Sequence, residues 1–397
     1  MRRLRRFLPD EVYFVTIRTI EQRFALDPYG SPNAWLEAER RQLDDESRIG
    51  MNERGQKCVT TTESITNAIA WSELDPENPR IEVPISTFTD SILNIIGSVV
   101  ARAVRRYDVH LYGFAFMSNH IHMLLQAPLG NLAQFMTYVN GQLAVNINRF
   151  LGRTGPLWSR RYSAAQVLDE AEELDKLAYI LANPYHAGLA GVIENCPSLS
   201  SASFLFKKAE YRFLCFDRTS WHNKGRPENI APFLSTVKLD HRVLPQLQGI
   251  EIESLPKKLP NLPNAIAKMA VGTKRKKHLE SGLSVRRQLL LRTVIPTDRP
   301  ESAKRTPRKR SPQPLCHTSN PMLRQIYQEW DREFRLAYKE ASKHYRNGHT
   351  NVEFPTGAFA PSKYPLARHA RDPDANEKML PTRRNLELAA LMTSLTQ

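Results

Sequence analysis

The sequence predicts an α+β fold in which an antiparallel sheet carries two helices on one face and is followed by a further helix. Short runs rich in β-branched and aromatic residues predict the strands. Longer stretches with apolar residues at helical spacing predict the helices, and the segments follow each other in the order β-α-β-β-α-β-α. A basic C-terminal extension, predicted to be largely helical or irregular, completes the chain.

The first three strands and the first helix occupy the segment up to residue 127. A strand is predicted over residues 12–19, and residues 24–87 form a polar insertion with several turn signals. A helix follows over residues 89–106, and strands follow over residues 109–117 and 120–127. The apolar stripe of the helix consists of Ile92, Ile95, Ile96, Val99, Val100 and Ala103.

The remaining elements of the sheet domain lie between residues 130 and 183. A helix is predicted over residues 130–150, and a strand over residues 162–168. Asp169 caps a last helix that is expected to end near Asn183, because Pro184 disfavours a helical conformation at the preceding residue. This order is that of the ferredoxin-like, split βαβ arrangement, and the domain is predicted to span residues 10–195.

Composition indicates which classes of partner and environment are expected. The 397 residues carry a net charge of +15 and have a pI near 9.7, which favours nucleic acid as a partner. No apolar run reaches the ~18 residues of a membrane-spanning helix, and the basic N-terminus lacks the apolar core of a signal peptide. The four cysteines form no Cys-x-x-Cys pair, which is typical of a protein in a reducing cytoplasm.

The chain beyond residue 195 is predicted to form three further regions. Residues 196–271 form a proline-punctuated extension, residues 272–318 a disordered basic linker, and residues 319–397 a helical extension. Within the linker, the segment Lys274 to Arg310 holds 13 basic residues against three acidic ones, a balance of +10. A helix over residues 321–345 carries an apolar face.

Two histidines provide the strongest indication of chemistry. His120 and His122 alternate along a predicted strand, so both side chains project from the same face and can share one metal ion. Ile121, Met123 and Leu125 point to the opposite face, where the helices are expected to pack. The spacing alone is weak evidence, because isolated His-x-His pairs are more often surface residues than ligands.

The last helix of the domain brings two more candidates. Leu174, Leu177 and Leu181 form a stripe that must pack, and Tyr179 and Asn183 lie roughly opposite it, four residues apart. The Tyr179 hydroxyl could therefore be presented to the sheet face that bears the histidines. The alternative is that Tyr179 is only an amphipathic edge residue of the helix.

Three blocks in this order carry a resemblance to a known family. They are Gly113-Phe-Ala-Phe-Met-Ser-Asn-His-Ile-His-Met-Leu-Leu125, Gly155-Pro-Leu-Trp-Ser-Arg-Arg-Tyr162 and Tyr179-Ile-Leu-Ala-Asn-Pro-Tyr-His-Ala-Gly-Leu189. Together they resemble the single-tyrosine HUH transposases, and within them the REP-associated tyrosine transposases. With the strand order, the resemblance covers roughly residues 10–195.

The resemblance implies a site and a reaction. His120 and His122 would be the two histidines of the HUH motif, Asn183 the third metal ligand and Tyr179 the nucleophile. A divalent ion such as Mg²⁺ or Mn²⁺ would polarise the scissile phosphate of single-stranded or hairpin DNA, and Tyr179 would form a 5′-phosphotyrosine. The protein would act in the bacterial cytoplasm, associated with the nucleoid, as a monomer or a homodimer.

The sequence departs from the family at two points and leaves other functions open. Ser118 stands where proline is usual, and Tyr185-His186 stands where Val-Arg is usual. A domesticated relative that nicks DNA and a catalytically silent DNA-binding protein both remain alternatives. An RNA-binding module lacks support, because the strands carry no aromatic RNA-binding signature.

The remaining candidate residues are expected to bind DNA. Trp158 offers a stacking surface, or alternatively a core anchor, and Arg160 and Arg161 could follow phosphates. Lys274, Arg275, Lys276 and Lys277 begin the basic segment, which we expect to be a dispensable arm that holds DNA electrostatically. The competing hypothesis, kept open by the apolar face of the helix over residues 321–345, is that the extension is a structural cap on the domain.

Overall fold

The computed structural model describes part of the chain, in several segments. They are residues 6, 8–26, 50–51, 57–58, 92–187, 199–207, 210–227, 229, 231–250, 314–349, 351–355, 357–359 and 381–395. Most of the predicted insertion and residues 251–313, including Lys274, Arg275, Lys276 and Lys277, lie outside them. None of the helices in these segments is long and apolar enough to cross a membrane.

A five-stranded sheet is the centre of the fold. Its strands are β1 (Glu11–Arg18), β2 (His110–Met117), β3 (His120–Ala127), β4 (Ser163–Val167) and β7 (Cys316–His317). The spatial order is β2-β3-β1-β4-β7, and every pair is antiparallel except β4 with β7. The mixed α+β class and the antiparallel pairing of the four predicted strands are as expected, whereas β7 was not foreseen.

Two helices cover one face of the sheet, as predicted. They are α1 (Ile92–Tyr107) and α2 (Leu132–Phe150), and the predicted apolar stripe of α1 and the apolar face of α2 are both buried. They enclose the main core together with Ile121, Met123 and Leu125. Because side chains alternate along β3, the burial of these three residues places His120 and His122 on the other face of the sheet.

The other face is covered by the helix α3 (Glu170–His186). Asp169 caps its first turn by accepting a hydrogen bond from the backbone N–H of Glu172 at 2.8 Å. Leu177 and Leu181 are fully buried against the sheet, and a side chain at Gly113 would collide with Leu177, so the helix lies close to β2. The face of the histidines is therefore not open to solvent but covered by α3.

The predicted end of α3 near Asn183 is wrong. The helix continues through Pro184 to His186, and the Ala187 N–H still donates to the Asn183 carbonyl at 2.9 Å. Proline cannot make the hydrogen bond to the carbonyl four residues earlier, and its ring crowds that carbonyl, so the packing of Leu177 and Leu181 against the sheet must offset this cost. Asn183 consequently keeps a helical position one turn beyond Tyr179.

The region after residue 198 contains short elements that pack on the domain. They are α4 (Ala202–Lys207), β5 (Arg212–Phe216), α5 (Arg218–Asn223) and β6 (Leu234–Lys238). The strands β5 and β6 form an antiparallel hairpin, and the ring of Phe213 fills the space over Gly97 of α1. The remaining described elements are short. They are two-residue strands at Gly50–Met51 and Lys57–Cys58 and 3₁₀ turns at Ile20–Gln22, Ala231–Phe233 and Pro245–Leu247.

The C-terminal extension is attached to the sheet rather than separate from it. Its helices are α6 (Pro321–Arg346), capped by Asn320, and α7 (Arg383–Leu395). Residues 316–317 were assigned to a disordered linker, but they form β7 and pair with the edge strand β4. Arg6 forms an ion pair with the buried Asp331 and lies over the ring of Trp330. This residue near the start of the chain therefore packs against α6. These contacts favour the structural-cap hypothesis for residues 314–346.

Candidate active site

The strand pairing brings the predicted histidines together on the face under α3. In the register of β1 with β3, Thr16 lies opposite His122 and Arg18 lies opposite His120. The rings of His120 and His122 are 4.9 Å apart between centroids and perpendicular to each other. This separation is compatible with two imidazoles that share one ion.

Asn183 and Asn119 fix the ring of His120. The side chain of Asn183 hydrogen-bonds to His120, which places the third predicted ligand beside the first. On the other side, the His120 Nδ1–H donates to Asn119 Oδ1 at 2.7 Å. With its proton on Nδ1, the imidazole keeps a lone pair on Nε2, which is the form that binds a metal.

Burial keeps both imidazoles neutral. Desolvation, assisted by the neighbouring His122 and by Arg18, lowers the pKa of His120 well below its usual value. Desolvation and Arg18 lower the pKa of His122 to about 3. Neutral imidazoles are the ligand form of histidine, so neither residue has to lose a proton near neutral pH before it can bind a cation.

The environment of His122 indicates whether a metal ion fits this site. The residue is 5% exposed, and neither of its ring nitrogens has a hydrogen-bond partner among the residues that the structure describes. An unsatisfied buried polar atom costs about 1–3 kcal/mol, so a nitrogen in this position calls for a ligand. Among the residues that the structure describes, no cluster of three or more His, Cys, Asp or Glu side chains could hold a metal, so the available donors are two imidazoles and the Asn183 amide.

Tyr179 lies beside this pair. Its ring stands edge-on to His122 at 5.4 Å and to Phe14 at 5.9 Å, and Phe14 itself stacks on His122. The side chain is 47% exposed although the neighbouring residues Ala178 and Ile180 are buried. The hydroxyl of Tyr179 is thus held at the mouth of the site and remains accessible to a substrate.

The predicted DNA-binding residues occupy different environments. Trp158 is half-buried, donates its indole N–H to the Asn140 carbonyl at 2.9 Å and packs against the main core, as the anchor alternative predicted. Arg160 and Arg161 are exposed on the loop before β4. Arg160 is close enough to Arg18 to lower its pKa, so it borders the site.

Two residues near the site were missed in the sequence. Arg18 ends β1 on the face of the histidines, and His317 of β7 contacts the ring of Phe14 at 5.5 Å. The alternation of side chains along β1 places Arg18 on the same face as Phe14 and Thr16, and this could have been predicted from the sequence. Which histidine Arg18 lies opposite becomes known only from the pairing of β1 with β3. No signal in the sequence places His317 here, since β7 is two residues long.

Comparisons with known proteins agree with the family that the motifs indicate. The family model described as IS200-like transposase matches residues 84–183, which include both histidines, Tyr179 and Asn183. Residues 84–183 therefore match the IS200-like transposase family, in agreement with the family prediction. No functionally curated protein matches the chain significantly.

One solved structure is similar over part of the chain. It is described as a REP-associated tyrosine transposase bound to a REP hairpin. The two proteins are 11% identical, the likeness covers 51% of this chain and 82% of the other, and the TM-score is 0.28.

Proposed function

We propose that this protein is a metal-dependent transposase that cleaves and rejoins single-stranded, hairpin-forming DNA through a phosphotyrosine at Tyr179. The observation that carries the proposal is that His120 and His122 of the sheet meet Tyr179 and Asn183 of α3, the helix that covers this face. The scaffold would be the ferredoxin-like βαββαβ sheet, which the strand order β2-β3-β1-β4 supports.

The residues that would hold the ion are His120, His122 and Asn183. A bound Mg²⁺ or Mn²⁺ would supply a positive charge that polarises the scissile phosphate and stabilises the charge that develops on it. The side chains contribute by staying neutral and fixed: Asn119 and Asn183 hold His120, and the stacked ring of Phe14 holds His122. Two imidazoles and an amide form a modest donor set, so we expect binding at millimolar rather than nanomolar metal.

Tyr179 would act as the nucleophile. Its hydroxyl oxygen forms a bond to phosphorus while the bond from phosphorus to the 3′ oxygen breaks. The phenolic proton is lost to solvent, and the leaving 3′ oxygen takes up a proton from solvent. One product is a 5′-phosphotyrosine and the other a free 3′-hydroxyl. Because the phosphodiester bond energy is kept in the tyrosine ester, a 3′-hydroxyl can attack it, restore Tyr179 and rejoin the DNA without an external energy source.

The experiment uses the full-length protein, Mn²⁺ or Mg²⁺, and end-labelled single-stranded oligonucleotides that span the DNA flanking its own coding region. A protein–DNA adduct that survives denaturation is expected with the wild type and with Tyr162→Phe, and none with Tyr179→Phe. Tyr162 is the matched control because it is a half-buried tyrosine near the loop of Arg160.

Each alternative function predicts a different result of this experiment. A silent DNA-binding protein would bind the oligonucleotide without an adduct, and a domesticated nickase would form the adduct but not rejoin a supplied 3′-hydroxyl. An adduct with Tyr179→Phe would refute the assignment of the nucleophile.

A further inference from the structure

Arg18 is a cation on the same face of the sheet as the candidate active site. In the antiparallel register of β1 with β3 it lies directly opposite His120, two residues along from Thr16, which lies opposite His122. Residues directly opposite each other in an antiparallel pair have Cβ atoms about 5 Å apart. The guanidinium therefore projects from the same face as the two histidines.

The backbone around Arg18 is held in place from both sides. Ser159 donates its backbone N–H to the Arg18 carbonyl at 3.0 Å and its hydroxyl to the same oxygen at 3.2 Å. The next residue, Thr19, forms a β-bridge with Trp158 and donates its N–H to the Asn119 carbonyl. The side chain thus starts from a fixed point beside the turn that carries His120.

The charge of Arg18 has no counterion in the described part of the chain. No carboxylate forms an ion pair with it there, although the nearby Arg23 is paired with Glu21. Its electrostatic neighbours are a second cation, Arg160, and the phenol of Tyr179. The same charge acts on His120 and His122. An exposed guanidinium among neutral rings and another cation suits an anionic ligand rather than a structural ion pair.

We propose that Arg18 is a further catalytic residue, whose guanidinium binds the non-bridging oxygens of the scissile phosphodiester while Tyr179 attacks the phosphorus. The proposal rests on the function proposed above and adds a contact that the metal ligands and the nucleophile do not supply. A phosphodiester carries one negative charge, which increases on these oxygens as the tyrosine oxygen approaches. The planar fork of arginine matches two such oxygens, and its charge stabilises the transition state more than the ground state.

The expected effect of removing this contact is large on the rate and small on binding. Loss of one pre-positioned donor to a developing anion lowers the rate about 100- to 1,000-fold. DNA affinity should change less than about tenfold, because many other phosphate contacts remain. Arg18→Lys keeps the charge but loses the fork, so an intermediate rate is expected.

The test compares two versions of one oligonucleotide that the wild-type protein cleaves. One has an ordinary phosphate at the cleavage position, and the other has a methylphosphonate, in which a neutral methyl group replaces one non-bridging oxygen. Initial rates of adduct formation are measured with Mn²⁺ for the wild type, Arg18→Ala and Arg18→Lys. Arg23→Ala is the matched control, since its guanidinium is paired with Glu21.

On the ordinary phosphate we expect Arg18→Ala to be at least about 100-fold slower than the wild type. On the methylphosphonate the two rates should come within about tenfold of each other, because the charge that Arg18 neutralises has been removed. Arg23→Ala should behave as the wild type on both. A ratio of wild-type to Arg18→Ala rates that is the same on the two substrates would overturn the role of Arg18 alone. Absence of any wild-type adduct would overturn the proposed function and this inference together.

Discussion

Arg383 joins the C-terminal extension to the helix that carries Tyr179. It is the first residue of α7, and its guanidinium contacts Glu173 at 3.2 Å and Glu170 at 3.3 Å, both on α3. Its backbone N–H donates to Glu11 Oε1 at 3.0 Å. The side chain of Glu173 is 4% exposed, so this ion pair is largely removed from water.

We expect Arg383→Ala to destabilise the protein by about 3 kcal/mol. Removal of one partner of a buried ion pair costs about 3–5 kcal/mol because the other charge stays buried and uncompensated. We expect the lower end of this energy range because the Arg383 side chain is 32% exposed, so water screens the ion pair. Within the described part of the chain, Glu173 would then keep the hydrogen bond that Gln246 donates at 2.5 Å and no other side-chain partner.

The free energy of unfolding is measured by urea titration, followed by circular dichroism, at pH 7.5. Glu387→Ala is the matched control: it removes another ion pair of the same arginine, but the Glu387 side chain is 49% exposed, so a loss of about 0.5 kcal/mol is expected. Burial raises the pKa of Glu173, and without Arg383 that pKa rises further. The loss of unfolding free energy caused by Arg383→Ala should therefore become smaller as the pH falls and Glu173 becomes protonated. A loss no larger than that of Glu387→Ala would refute the buried-pair reasoning.

Three further predictions concern the metal site, the basic arm and acid stability. Replacement of His120 or His122 by Ala should abolish cleavage in a gel assay and leave hairpin binding within about tenfold; cleavage that survives either change, or a chelator, would contradict the metal model. Deletion of Lys274–Arg310 should weaken binding to long DNA and make the dependence of log affinity on log salt shallower, by about one unit per lost phosphate contact; an unchanged slope would show that the arm does not touch DNA. Burial lowers the pKa of His241 to about 4, so between about pH 6.5 and 4 only the unfolded state binds this proton and stability falls as the pH falls. His241→Gln should reduce that slope in urea titrations by up to about 1.4 kcal/mol per pH unit, and an equal slope would mean that His241 is not the group responsible.

The elements that form the site were predictable because local periodicity determines them. Alternation along β3 put His120 and His122 on one face, and the leucine stripe of α3 put Tyr179 and Asn183 together on the other side of that helix. The structure adds the contacts between these elements: the edge-on approach of Tyr179 to His122 and the hydrogen bond between Asn183 and His120. Such contacts depend on how α3 lies over the sheet, which no pattern within one segment determines.

The parts that were missed depend on pairing between distant segments. The strand β7 has two residues, too few for a periodic signal, and it forms only because the edge of β4 offers free backbone groups. The role of Arg18 depends on the register of β1 with β3, which are separated by about a hundred residues. Pro184 gave a local signal for a helix end, but the packing of Leu177 and Leu181 keeps the helix intact past it.

The most direct test of the account is to locate the covalent bond between protein and DNA. The adduct formed with a single-stranded oligonucleotide in Mn²⁺ is digested with protease and nuclease, and the modified peptide is sequenced by mass spectrometry. We expect a single nucleotide joined through its 5′-phosphate to Tyr179, and we expect no such product with a chelator or with His122→Ala. A nucleotide on any other residue, or an adduct on Tyr179 that forms equally well without a divalent metal, would contradict the account.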